Sequence, residues 1–189
     1  GIGYWGPNLI RNFLASEKIE KVYVFDINKS RLDFVRKRFP LVTIADSIEQ
    51  ILNSDKIEIV AIATPVDTHF DTAKKALERN KHIWVEKPFT SSVEQAVILN
   101  QIAAERKLNI FVDHTFIYTG AVKKMKEIID NNELGDLLYF DSVRINLGLF
   151  QSDVNVIWDL APHDLSIMFY LMNKKPVAIA ANGVANYYG

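Results

Sequence analysis

Through the first 113 residues, short runs rich in β-branched and aromatic positions alternate with longer stretches whose apolar residues return every three or four places. The short runs are Lys21–Asp26 (KVYVFD), Leu41–Asp46 (LVTIAD), Ile57–Thr64 (IEIVAIAT), Lys81–Lys87 (KHIWVEK) and Leu108–Asp113 (LNIFVD). Each reads as a strand. Helices are predicted over Pro7–Ser16, Ser30–Phe39, Ser47–Asn53, Asp67–Asn80 and Val93–Lys107, with Pro7 suited to a first helical position and Asp67 or Ser91/Ser92 to an N-cap. The near-continuous apolar character of IEIVAIAT suits a strand covered on both faces. Strand–helix alternation of this kind predicts βαβ units and a doubly wound parallel sheet of Rossmann type, an α/β fold.

Beyond Asp113 the rhythm changes. A helix is predicted over Gly120–Asn131, a strand with one wet face over Leu137–Asn146, a helix over Val156–Leu171 and a last strand from Pro176 to Asn186. Pro162 suits only a first turn, which places that second helix's effective start near Ala161. The division expected is a Rossmann domain over residues 1–114 and, over 115–189, an α+β domain on a mainly antiparallel sheet. Two strands are too few for a stable open sheet. The chain also opens on a turn motif with no strand before it, so both the first strand and the rest of the second sheet are expected to be missing.

Composition adds exclusions. Twenty-two Lys and Arg against 23 Asp and Glu leave a net charge of −1, not the basic excess of a nucleic-acid surface. Absence of cysteine rules out disulfides and thiolate chemistry and fits a cytoplasmic protein. No apolar run reaches the roughly 18 residues of a membrane span, and no signal peptide is visible. The four histidines are scattered, so no metal site is expected.

Chemistry is expected at five places. Gly1, Gly3 and Gly6 form G-x-G-x-x-G with a helix directly after, where free N–H groups and the helix dipole can hold a pyrophosphate; Tyr4 and Trp5 lie inside the turn. Asp26 ends the next strand about 20 residues on, where a carboxylate accepts bonds from a ribose hydroxyl. An acid there favours NAD over NADP, although Lys29 and Arg31 nearby leave room for the phosphorylated cofactor. Thr64, Pro65 and His69 follow the central apolar strand and border the same crevice, His69 being as easily a packed side chain as a contact. Glu86, Lys87 and Pro88 end the strand HIWV at the carboxyl edge, where Lys87 taken alone is more often a solvated charge. Asp159 and His163, four apart in WDLAPHDL, share a helix face, and a carboxylate that supports an imidazole suits proton transfer at a hydroxyl. Read singly, they are more often a helix-terminal acid and a half-buried histidine. Phe116, Tyr118 and Phe150 suit core or pocket lining.

Together GIGYWGPNLIRNF, IATPVDTHFDTAKKAL, VEKPF, NNELGDLLY and WDLAPHDLSIM resemble the glucose-fructose oxidoreductase/inositol dehydrogenase/MocA family, in the family's order and over nearly the whole chain. The resemblance implies an NAD(P)-binding Rossmann domain joined to an α/β domain with a largely antiparallel sheet, and homo-oligomers formed through that sheet. It implies that Lys87 sits near the nicotinamide ribose and the reacting hydroxyl, with Asp159 and His163 completing the catalytic set and Tyr118 near the substrate. Its WDLAPHDL form is most similar to dehydrogenases of nucleotide-linked sugars. An NAD-using glycoside-cleaving relative and a non-catalytic dinucleotide-binding homologue are the alternatives.

Overall fold

The computed structural model describes residues 1–145 and 154–184. Two compact units emerge, the first containing residues 1–114 and 154–162, the second 115–145 and 163–184.

In the first unit every predicted element forms. Its helices are α1 (Gly6–Leu14), α2 (Lys29–Arg38), α3 (Ile48–Leu52), α4 (His69–Glu78) and α5 (Val93–Arg106). Its strands are β1 (Tyr23–Val24), β2 (Thr43–Ile44), β3 (Ile59–Ile62), β4 (His82–Val85) and β5 (Ile110–Val112). Asn28, Ser47 and Ser92 cap α2, α3 and α5, their side-chain oxygens accepting from Ser30, Gln50 and Gln95 N–H. Each cap satisfies a donor that no helical carbonyl can reach. Asp67 is not a cap. It lies within a one-turn 3-10 segment, Val66–Thr68, that leads into α4.

Among the described residues all strand pairs are parallel, as β1–β2 and as β3–β4–β5, in two sheets with no pairing between β1 and β3. Residues 1 and 2 reach both ladders: Ile2 N–H donates to Asp26 just past β1, and the Gly1 Cα lies against Ala63 O just past β3. Alternation along β4 shows the layering. Ile83 and Val85 pack with Ala73, Ala76 and Leu77 of α4 and Leu99 and Ala103 of α5. Trp84 between them meets Phe13 of α1, ring centroids 5.5 Å apart, and lies 4.0 Å from Phe111. Successive side chains of a strand point to opposite faces, so helices cover both sides of this sheet.

The second unit holds α6 (Gly120–Asp130) and most of α7 (Val156–Met172). Two expectations are corrected here. Residues 137–145 and 176–184 are irregular rather than strands, and Asn146 and residues 185–186 of those runs lie outside the described residues, as does Phe150. A strand exists only as one side of a ladder, and among the described residues nothing pairs with either run. Leu138, Val143, Ile145, Val177 and Ile179 are exposed in consequence, and no sheet is present for self-association among the described residues. Helix α7 also begins six residues before Pro162, which lies inside it. The missing proline N–H leaves the Trp158 carbonyl without its helical partner.

Candidate active site

The glycine turn is built by close approach. A Cβ on Gly1 would stand 2.7 Å from Ala63 O, and one on Gly6 would stand 2.7 Å from Gly1 O. Packing within the protein therefore demands those two glycines. Gly3 differs, since its nearest neighbour would be 3.9 Å away. Among the described residues nothing crowds that position, which leaves room for a ligand to approach the backbone. Helix α1 starts behind Trp5 with no side-chain cap and with Pro7 in its first turn. Pro7 has no N–H and those of Asn8 and Leu9 donate to Trp5 O, so the terminus offers an anion the Gly6 N–H and the positive dipole end. Tyr4 and Trp5 stand exposed on the turn, edge to face.

Asp26 is only 6% exposed, and its two oxygens accept from Ile2 N–H at 2.5 Å and Asn28 N–H at 2.8 Å. Arg31 Nη1 is 3.7 Å away. Burial opposes its charge, but the two backbone N–H bonds and the neighbouring positive charges outweigh that and hold the carboxyl below the usual range. Each oxygen has acceptor capacity beyond the bond it already makes. The turn, the open α1 terminus and Asp26 fit a dinucleotide: backbone N–H groups for the pyrophosphate, a carboxylate for a ribose hydroxyl.

Thr64 follows β3, its methyl packed against Gly1, and its hydroxyl lies 2.7 Å from Thr68 Oγ1. Pro65 starts the 3-10 turn. His69 is not at the crevice. It is 1% exposed, with Nε2 at 2.9 Å from Thr64 O and Nδ1 at 3.0 Å from Pro88 O. Its ring is enclosed between the loops after β3 and β4, with one nitrogen beside a carbonyl of each. Glu86 also turns inward. It is 9% exposed and stands beside Asp113, which follows the neighbouring strand β5.

Lys87 follows directly, before a cis bond to Pro88. Its Nζ donates to Asp159 Oδ1 at 2.7 Å and to Asp159 O at 3.0 Å. The side chains are 16% and 21% exposed, so the pair is largely shielded. Asn155 positions the acid: its side-chain oxygen accepts from Trp158 N–H at 2.9 Å, capping α7. Trp158 Nε1 in turn donates to Thr90 O at 2.8 Å, tying α7 to the loop after β4. The 72-residue separation of Lys87 and Asp159 is thus closed by two independent sets of bonds.

His163 lies one helical turn beyond Asp159 in α7, its ring edge-on to Phe116 at 4.7 Å. Arg144 lies over the same Phe116 ring at 5.1 Å and grips Asp164 through Nε and Nη2, at 2.5 and 3.0 Å. Those bonds, with one from Ser142, hold the Asp164 carboxyl below its usual range. Tyr118 is half exposed, with Lys123 Nζ 5.9 Å from its ring. Arg144, Asp164 and the Glu86–Asp113 pair escaped the reading of the sequence, because a lone Arg or Asp in a mixed-charge segment carries no spacing signal. Only the register of β4 against β5 could have suggested the last pair.

The profile of the Gfo/Idh/MocA oxidoreductase family, NAD-binding Rossmann fold, matches residues 1–114. UDP-N-acetylglucosamine 3-dehydrogenase of Acidithiobacillus ferrooxidans is 30% identical over 98% of this chain and 56% of its own length. The NAD(+)-dependent scyllo-inositol 2-dehydrogenase of Bacillus subtilis is 26% identical over 97% of the chain and 55% of its own. The crystal structure of an NAD-binding protein from Listeria innocua, 23% identical, shares the fold with a TM-score of 0.79 over 92% of this chain and 51% of that one. The chain spans about half the length of the curated relatives it matches. With a glycine turn open only at Gly3, an uncapped α1 and a lysine held at the carboxyl edge of its parallel sheet, the chain belongs to the Gfo/Idh/MocA oxidoreductases with their NAD-binding Rossmann fold.

Proposed function

We propose that this chain forms the NAD-binding and catalytic part of a dehydrogenase that oxidises a carbinol carbon of a sugar, in particular a nucleotide-linked sugar. The observation that carries the reading is the Lys87–Asp159 pair, a shielded ammonium held by two bonds from one residue of a distant helix. Bound NAD would supply the hydride acceptor; the glycine turn, the α1 terminus and Asp26 would hold it.

The remaining chemistry belongs to the side chains. When hydride leaves a carbinol carbon, the hydroxyl must lose a proton. An ammonium has three N–H donors, and Asp159 engages two of Lys87's, leaving one for the hydroxyl oxygen. That bond strengthens as negative charge develops on the oxygen, which favours the transition state over the bound substrate. Asp159 fixes the direction of the ammonium. His163, the residue type suited to exchanging protons near neutrality, is assigned the acid–base role, and Tyr118 substrate contact.

Similarity to the UDP-N-acetylglucosamine 3-dehydrogenase supports the nucleotide-sugar part of the reading. The test is NADH formation by the protein offered a panel of UDP- and dTDP-linked sugars, free hexoses and inositols, with NAD or NADP. Turnover of a nucleotide sugar with NAD is expected. Turnover confined to free cyclitols would refute the substrate class, and no turnover by a protein that binds NAD would refute the dehydrogenase reading.

A further inference from the structure

Two acids lie buried side by side behind Lys87. The register of β4 and β5 ends at Val85 opposite Val112, closed by Asp113 N–H donating to Val85 O at 2.8 Å, and that of β3 and β4 ends at Ile62 opposite Val85, closed by Glu86 N–H donating to Ile62 O at 2.9 Å, so Glu86 and Asp113 each directly follow a paired residue. Glu86 and Asp113 are therefore the next neighbours on adjacent parallel strands. They are 9% and 6% exposed, two acids held out of water side by side at the ends of neighbouring strands. Two carboxylates in contact and out of water repel strongly, whereas one proton between them turns the repulsion into a hydrogen bond.

We infer that Glu86 and Asp113 form a one-proton carboxyl pair that positions Lys87. The link is short, since Glu86 directly precedes Lys87 and its backbone N–H is held by Ile62 O, so the buried Glu86 side chain anchors the peptide from which the ammonium extends. The inference rests on the reading of Lys87 as the site's lysine. Burial, followed by the charge of Asp113 and the hydrogen bond to it, pushes the Glu86 carboxyl up to about 7, with Lys87 opposing through its N–H and its ammonium. The charged and titratable groups facing the pair are few. Lys87 extends from the same strand, and its ammonium is engaged by Asp159 of α7. His114 adjoins Asp113, its pKa held low by burial against the pull of that acid. On the far side β3 runs out into uncharged Ala63, Thr64 and Pro65.

Two measurements that need no substrate test this. Infrared spectra should show the carbonyl stretch of a protonated carboxylic acid at about pH 6 that fades by about pH 9 and is absent from Glu86→Gln. The acylation rate of Lys87 by a small amine reagent, read by peptide mass spectrometry, reports its positioning. Glu86→Ala should change that rate by about fivefold, the factor that one lost hydrogen bond corresponds to, while Glu86→Gln should restore it, because the amide fills the same space and can still donate to Asp113. A band that survives in Glu86→Gln would overturn the shared proton. A parent-like rate in Glu86→Ala, or failure of Glu86→Gln to restore it, would overturn the positioning role; if Glu86→Ala does not fold, the rate in Glu86→Gln decides. Neither readout depends on turnover, so absence of dehydrogenase activity leaves the pair's test intact.

Discussion

Replacing Glu86 by Gln should alter how stability depends on pH, with a sign and size that follow from its surroundings. In the unfolded chain this carboxyl titrates near its ordinary 4.5; in the fold it titrates at about 7. A group whose folded pKa is raised contributes stability that is fully present below the unfolded value and is lost as pH rises through the folded one. At about 1.4 kcal/mol per pH decade, the gap between the two values corresponds to about 3 kcal/mol. The free energy of unfolding of the parent minus that of Glu86→Gln should therefore fall by about 3 kcal/mol between about pH 4.5 and 7, and stay level above that. His114 acts in an overlapping window with the opposite slope. Burial depresses its pKa, so it costs stability as pH falls below its ordinary 6.5. That contribution is common to both proteins and cancels in the difference. Asp26 and Asp164, both held low, lose their contributions only below the ordinary carboxylate value of 3.8, outside the window. Urea unfolding at closely spaced pH values, with equal denaturant slopes in the two proteins, gives the difference curve. A curve flat to within about 0.5 kcal/mol would show that the buried pair carries no displaced proton, and the argument would fail.

Substitution at the other site residues should separate packing from chemistry. Gly6→Ala should destabilise the protein, because its Cβ would stand 2.7 Å from a backbone oxygen, whereas Gly3→Ala should fold normally and lose NAD affinity in fluorescence titrations. Equal stability of the two variants would refute that division. Asp26→Ala should weaken NAD binding and narrow the preference over NADP, since it removes an acceptor and a repulsive charge together; unchanged discrimination would remove Asp26 from cofactor selection. Lys87→Met should lower kcat on the order of 10²-fold with NAD binding near normal, and Asp159→Asn should act more mildly because it keeps an acceptor near the ammonium. Turnover within about twofold of the parent in Lys87→Met would take that lysine out of the mechanism.

Periodicity alone was enough for the first unit. The strand runs from Lys21 to Asp113 and the helices between them are local patterns, and of the caps expected at Asp67 or Ser91/Ser92 the one at Ser92 forms. Local information also placed Lys87 and Asp26 at strand ends, because a strand's end is marked by where its apolar run stops. Three matters needed the tertiary structure. Leu137–Asn146 has a strand's alternation, yet residues 137–145 remain irregular, because a ladder requires a partner that no local pattern supplies. Pro162 was misread as a helix start, since local rules price its missing N–H bond without knowing that α7 is fixed ahead of it by the Asn155 cap and by Trp158 bonded to Thr90. His69 and Glu86 sit at the predicted edge, but whether a side chain there faces a crevice or the interior depends on neighbours far along the chain: Pro88 for one, Asp113 for the other. The sequence by itself determined the elements and the chemistry available at their ends. Which of those groups meet was decided by strand register and helix docking, which are properties of the folded chain as a whole.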